Sequence, residues 1–167
     1  MLDDASDTLA PDAADGIRLG VAVSRYHAGI TGRLLEGATA TFAAHGGRDD
    51  DLLVVPAPGA WELLPVAAAM LERGDLDGVV CLGLILTGQT THDRWLAAGL
   101  ADGLASLSAR HVMPVAFGVL TCQSLEQAEA RAGGAVGNKG REAMESTLAA
   151  VHAIRGVRDG RPAGSRP

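Results

Sequence analysis

Two short segments of this chain combine residue types that can do chemistry. Gly88-Gln89-Thr90-Thr91-His92 offers an amide, two hydroxyls and an imidazole within five residues. Imidazole exchanges protons in neutral water, and the amide and hydroxyls can hydrogen-bond an anion. Arg131-Ala132-Gly133 and Gly137-Asn138-Lys139-Gly140 set two cations on Gly-rich loops. One proton carrier and two anion-binding groups point to chemistry on a small phosphorylated substrate. Structural readings stand beside these. His92 alone could be a solvated group in the first turn of a helix, and Arg131 a C-terminal helix cation with Gly133 as its stop. The Lys139 segment is superficially like a nucleotide phosphate loop. Asn138 precedes its Lys, however, and Gly140 stands where Ser or Thr would meet magnesium, which excludes that class.

Such groups need a scaffold. The apolar run Val79-Val80-Cys81-Leu82-Gly83-Leu84-Ile85-Leu86 reads as a buried parallel strand and sets His92 beyond its carboxyl end. Further strands are predicted over residues 17–24, 52–55 (closed by Pro56 and Pro58) and 115–120. Helices are predicted over 31–44, 61–73, 91–110 and 138–154, with Pro65 tolerated in a first turn. Ser124 and Gln127 form a capping box for a short additional helix. The order βαβαβαβαα implies a three-layer αβα sandwich around a four-stranded parallel sheet, covered on both faces. Right-handed crossovers bring the strand carboxyl ends to one edge, where ligands bind. Four of the five aromatic residues, Tyr26, Trp61, Trp95 and Phe117, fall near that edge. Core filling and stacking on a flat ligand are both open for them; Phe117 alone reads as core.

Composition narrows the class. A chain of 167 residues is most simply one domain, burying roughly two-thirds of its unfolded surface. It has no apolar run approaching the ~20 residues of a membrane span, and no basic surface of the kind that binds nucleic acid. Its start lacks a basic and apolar export signal. Cys81 and Cys122 read as small buried thiols in a reducing cytoplasm. The five His residues show no metal-ligand spacing, so a zinc site is not expected. No GxGxxG follows a strand. The first sixteen residues hold five acids and no base, and the stretch from Arg155 holds four Arg and one Asp. Both ends lack periodicity and read as mobile or partner-bound arms: residues 1–16 and 156–167 flank a domain over 17–155.

Taken together, the motifs resemble the lumazine synthase family of riboflavin biosynthesis over about residues 17–155. The matching segments, in order, are Val23-Ser24-Arg25-Tyr26, Pro58-Gly59-Ala60-Trp61-Glu62, Gly88-Gln89-Thr90-Thr91-His92, Pro114-Val115-Ala116-Phe117-Gly118-Val119-Leu120-Thr121, and Arg131-Ala132-Gly133 through Gly140. The resemblance implies a flavodoxin-like fold and a transferase reaction. That reaction condenses 5-amino-6-(D-ribitylamino)uracil with 3,4-dihydroxy-2-butanone 4-phosphate, with no metal or organic cofactor. Carried over by motif, His92 moves protons and Arg131 binds the departing phosphate with Gln89 and Thr90, while Lys139 adds positive field. Tyr26 stacks on the pyrimidine, with Phe117 near it. Ala60, Trp61 and Glu62 line the uracil and ribityl pocket, and Leu84, Ile85 and Leu86 contribute backbone contacts.

The chain departs from the family's usual pattern at several points. Asp93-Arg94-Trp95 follows His92 where an aromatic and then an acid are usual. Thr87 stands where an Arg commonly precedes the Gly, and Tyr26 and Trp61 replace positions that are mostly Phe. The resemblance further implies a cytoplasmic homo-oligomer, a pentamer at minimum. Its sites are completed by the adjacent chain, with Phe117 and Arg131 reaching across, and an N-terminal arm adds a strand to a neighbour's sheet. The uninterrupted Gly133-Gly134-Ala135-Val136-Gly137-Asn138 permits the tight turn of a 60-subunit icosahedral capsid but lacks the Lys often found there. Riboflavin synthase is a candidate partner. Rival readings are a shell protein that has lost catalysis, a non-catalytic flavin-binding module, and a riboflavin synthase of the same fold.

Overall fold

The computed structural model describes residues 9–160. Two strands form the middle of its sheet: Leu19–Ser24 (β1), buried throughout, and Gly78–Leu86 (β3), buried up to Ile85. Both faces of these strands are covered, which is why their sequences run apolar instead of alternating. Leu52–Ala57 (β2) and Val115–Cys122 (β4) flank them in the order β2-β1-β3-β4, every pair parallel. β2 continues through Pro56 where the sequence predicts a stop. It is an edge strand, and on its open side a missing N–H removes no ladder bond.

Helices Ala28–Ala44 (α1) and Lys139–Arg158 (α5) cover one face of the sheet. Leu34, Ala38 and Phe42 of α1 and Met144 and Leu148 of α5 are buried there against Val21, Val80 and Leu82. Leu63–Glu72 (α2) and His92–His111 (α3) cover the other, burying Leu63, Ala67, Met70, Leu100 and Leu104 against Ala22, Val79 and Cys81. Truncating one such leucine costs about 2–5 kcal/mol. Pro65 lies in the first turn of α2, which begins two residues later than Trp61. Leu125–Arg131 (α4) is a single short helix whose Ser124 Oγ accepts from Gln127 N at 3.3 Å; Gln127 Oε1 in turn accepts from Gln123 N at 2.9 Å. A two-stranded hairpin, Ala132–Gly134 (β5) with Gly137–Asn138 (β6), links α4 to α5. Gly133 and Gly137 hold φ +91 and +97 there, a turn that side-chain-bearing residues resist.

Parts of the segments that read as mobile or partner-bound arms contact the rest of the chain. Ala13 and Ala14 are buried, His45 Nδ1 donates to the Ala10 carbonyl at 3.0 Å, and His152 Nε2 donates to that of Ala13 at 2.7 Å. α5 runs four residues past Ile154. Its Arg155 pairs with Asp77 at 2.7 Å, and Arg158 donates to the Val112 carbonyl at 3.1 Å. Residues 1–8 and 161–167, the rest of those arms, lie outside the described residues. Ion pairs gather at the amino edge of the sheet, where Asp75 meets Arg73 at 2.8 Å and Arg18 at 2.9 Å. The Arg73 hydrogen bond holds the exposed Asp75 carboxyl below its ordinary range. Among the described residues no helix is long and apolar enough to cross a membrane.

Candidate active site

The strand order reverses between β1 and β3, so the chains leaving them diverge to opposite faces and open a crevice at the carboxyl edge. The ladder between β1 and β3 ends at Val23 opposite Leu82, whereas the ladder between β3 and β4 continues to Leu86 opposite Cys122. Residues 84–86 therefore project past the end of β1, and the peptide groups on that side have no strand partner. Ser24 Oγ, at the end of β1, is buried with no hydrogen-bond partner among the described residues. An open row of backbone donors and acceptors beside an apolar floor suits a flat polar ring. Leu84 and Ile85 are buried as whole residues and Leu86 is half-buried.

His92 opens α3 and is exposed. Thr91, the N-cap, makes no side-chain cap bond, and its carbonyl accepts from Arg94 N at 3.1 Å, so the His92 and Asp93 N–H groups that open this 20-residue helix lack a partner among the described residues. Gln89 and Thr90 are exposed on the loop, with no side-chain hydrogen bond among the described residues. The loop is closed at its base: Thr87 Oγ1 donates to Asp93 Oδ2 at 3.1 Å, and Thr87 N to the Cys122 carbonyl at 2.9 Å. Asp93 thus partners Thr87 in place of a second charged group. Trp61, His92, Trp95 and Leu96 line a cavity of about 420 Å³ on this side. Trp61 is 50% exposed and Tyr26 68% exposed. Ala60 is buried and Glu62 half-buried, just before α2.

The two cations sit elsewhere. Arg131, the last residue of α4, and Lys139, the first of α5, line a second cavity of about 530 Å³ along the outer side of β4, with Thr121, Cys122 and Gln127. Arg131 makes no side-chain ion pair or hydrogen bond among the described residues, whereas Lys139 Nζ meets Glu142 at 3.1 Å. Burial pushes the Cys122 thiol up, and the positive charge of Arg131 opposes that rise. The glycines and Asn around Lys139 are structural. Asn138 Oδ1 accepts from Gly140 N at 2.8 Å and Arg141 N at 3.2 Å, while its Nδ2 donates to the Arg33 carbonyl at 2.9 Å. A Cβ at Gly140 would run into the Leu34 backbone.

One chain thus gathers Trp61 and His92 at one cavity and Arg131 and Lys139 at another. Phe117 lines neither: it lies mid-strand opposite Cys81 and packs on the layer of α2 and α3. Sequence reasoning missed Leu96 and the seat of Trp61. A Cβ at Gly99 would stand 3.0 Å from Trp61 Cζ3, and one at Gly103 would stand 2.6 Å from Leu64. These two glycines, one helical turn apart on α3, let α2 approach closely. The Gly-x-x-x-Gly spacing was the available signal. Among the described residues no three His, Cys, Asp or Glu side chains converge to hold a metal.

Comparison with known proteins shows the family. The family model for 6,7-dimethyl-8-ribityllumazine synthase matches residues 16–155. A protein of that name from Aquifex aeolicus is 41% identical over 146 residues, covering 87% of this chain and 94% of its own length. One from Thermus thermophilus is 40% identical over 151 residues, covering 90% and 96%. One from Helicobacter pylori is 45% identical over 131 residues, covering 78% and 84%. The chain belongs to the 6,7-dimethyl-8-ribityllumazine synthase family.

Proposed function

We propose that this chain makes 6,7-dimethyl-8-ribityllumazine at a site completed by two neighbouring copies, one supplying the His92 cavity and the other the Arg131 cavity. As a member of the family it is a transferase of riboflavin biosynthesis. It joins 5-amino-6-(D-ribitylamino)uracil to 3,4-dihydroxy-2-butanone 4-phosphate and releases phosphate and water. An amine attacks a ketone to give an imine, phosphate leaves, and the ring closes with loss of water. Each step moves a proton, and one imidazole serves several. His92 takes that role. Gln89, Thr90 and the uncapped start of α3 hold the phosphate. Arg131 brings fixed positive charge to where negative charge develops, and Lys139 adds to the field. Tyr26 and Trp61 stack on or flank the pyrimidine; Ala60 and Glu62 line the ribityl side; the backbone of Leu84, Ile85 and Leu86, beyond the end of the β1 ladder, reads the ring's polar edge. Phe117 completes the stack from the neighbouring copy. No covalent enzyme intermediate is required, and holding two substrates in register supplies much of the acceleration.

The observation that carries this reading is the division of the site. His92 and Arg131 line separate cavities of one chain, and neither has a side-chain partner among the described residues. A head-to-tail contact between copies joins such halves and closes as a ring. The ring is a cytoplasmic pentamer, and the short hairpin at 132–138 is compatible with assembly into a 60-subunit shell. Mixing purified protein with both substrates and following lumazine formation optically tests the activity. The expected result is turnover well above the uncatalysed rate, reduced about a hundredfold in Arg131→Ala and comparably in His92→Ala. Background rates from folded protein overturn the catalytic reading.

A further inference from the structure

The backbone at His27 has φ +60° and ψ +46°, the left-handed region. Among the described residues only His27 and Val112 reach positive φ without being glycine, and only His27 stands at the carboxyl edge of the sheet. It occupies the N-cap of α1, yet its side chain caps nothing. An N-cap residue ordinarily has extended backbone and a short polar side chain that accepts from the first turn. The His27 ring meets Tyr26 instead, with centroids 4.7 Å apart and planes at 76°, an edge-to-face pair. Consecutive side chains on extended backbone point to opposite faces, so the turn at His27 is what brings the rings together. Its carbonyl, accepting from Ile30 N at 2.9 Å and Thr31 N at 3.0 Å, holds that turn. Strained backbone persists where its surroundings fix it, and it clusters at ligand sites.

We propose that His27 is a positioning residue for pyrimidine binding: its left-handed backbone and its ring brace the exposed Tyr26 ring, leaving a face ready to stack on the flat substrate. This rests on the stacking role given to Tyr26 above. An exposed tyrosine held only at its backbone must lose rotamer freedom when substrate arrives, and a braced ring has already lost it. His27 is the one ring partner of Tyr26 among the described residues, so the bracing falls to that contact.

Two variants separate the backbone from the ring. Asn adopts left-handed backbone readily but has no ring; Phe keeps a ring but is strained there. His27→Asn is therefore expected to raise KM for the ribitylaminouracil about fivefold. Its KM for the butanone phosphate and its kcat should stay within about twofold, with Tm unchanged or higher. His27→Phe is expected to lower Tm while recovering most of the lost affinity, so stability and KM run in opposite order across the two. In a Tyr26→Ala background His27→Asn adds nothing further. Titrating the ribitylaminouracil alone against tryptophan fluorescence reads the same affinities without turnover. A fivefold loss there in an inactive protein keeps the His27 inference while the catalytic reading fails. Unchanged His27→Asn affinity, or a KM that tracks Tm across the variants, overturns it.

Discussion

The segments at 88–92 and 137–140 both combine glycine with polar side chains suited to an anion, yet the fold uses them in opposite ways. Around Gly140 every polar or close-packed feature is engaged inside the chain. Asn138 caps α5 and pins the Arg33 carbonyl, Lys139 meets Glu142, and Gly140 lies against Leu34. Around Gly88 the space a Cβ would enter is open, with nothing within 4 Å, and Gln89, Thr90 and His92 face solvent. Only the base of that loop is tied, by Thr87 to Asp93 at 3.1 Å. Residue types nominate a loop for function, and partner accounting decides which nominee is free to act. Apart from Lys139, which also lines the Arg131 cavity, the 137–140 loop is a structural joint.

Substitutions can break this contrast, and the largest effect belongs to the glycines. Gly140→Ala should destabilise the chain by about 3 kcal/mol, since the added methyl meets backbone. Gly88→Ala should cost under about 1 kcal/mol, because its surroundings are open. Urea unfolding of the pair reads both values, and equal costs contradict the contrast.

The side chains give the next test. Asn138→Ala loses a helix cap and is expected to cost about 1–2 kcal/mol, with kcat of the folded enzyme within about twofold. Gln89→Ala should do the reverse, leaving Tm in place and raising KM for the butanone phosphate about tenfold. Thr87→Val removes the tie to Asp93 at a cost of about 0.5–1 kcal/mol; faster amide exchange at Gln89 and Thr90 is its signature.

The effect that is smallest at neutral pH, because it appears only in alkali, belongs to a buried thiol. Burial pushes the Cys81 thiol from 9.0 up to about 12, so the native chain keeps that proton while the unfolded chain loses it. Stability from this group is complete below pH 9.0 and declines as pH rises toward 12. Cys81→Ala should flatten the alkaline limb of a pH–stability curve, and an unchanged slope removes the group from the account.

Much of the architecture is legible in the sequence because periodicity and apolar runs report burial locally. The run at 79–86 reads as a covered strand, and Ser124 with Gln127 marks a helix start; the fold realises both. Boundaries fail where tertiary context overrides a local rule. Pro56 reads as a stop because the edge position of β2 is invisible in sequence. The terminal arms read as mobile or partner-bound because the burial of Ala13 and Ala14, and the contact of Arg158 with Val112, depend on partners tens of residues away. The sequence nominates a set of residues for the candidate site and leaves their arrangement illegible. Spacing along a chain does not reveal that His92 and Arg131 line different cavities, nor that Gly99 seats Trp61.

The division of the site between copies is the central claim, and subunit mixing tests it most directly. His92→Ala and Arg131→Ala chains, each reduced about a hundredfold alone, are unfolded together in equal amounts and reassembled. If each site takes His92 from one copy and Arg131 from its neighbour, random assembly leaves about a quarter of the sites with both groups intact. Recovery of about a quarter of the wild-type rate is the predicted result. A mixture no more active than the separate variants contradicts a shared site and returns His92 and Arg131 to unrelated roles.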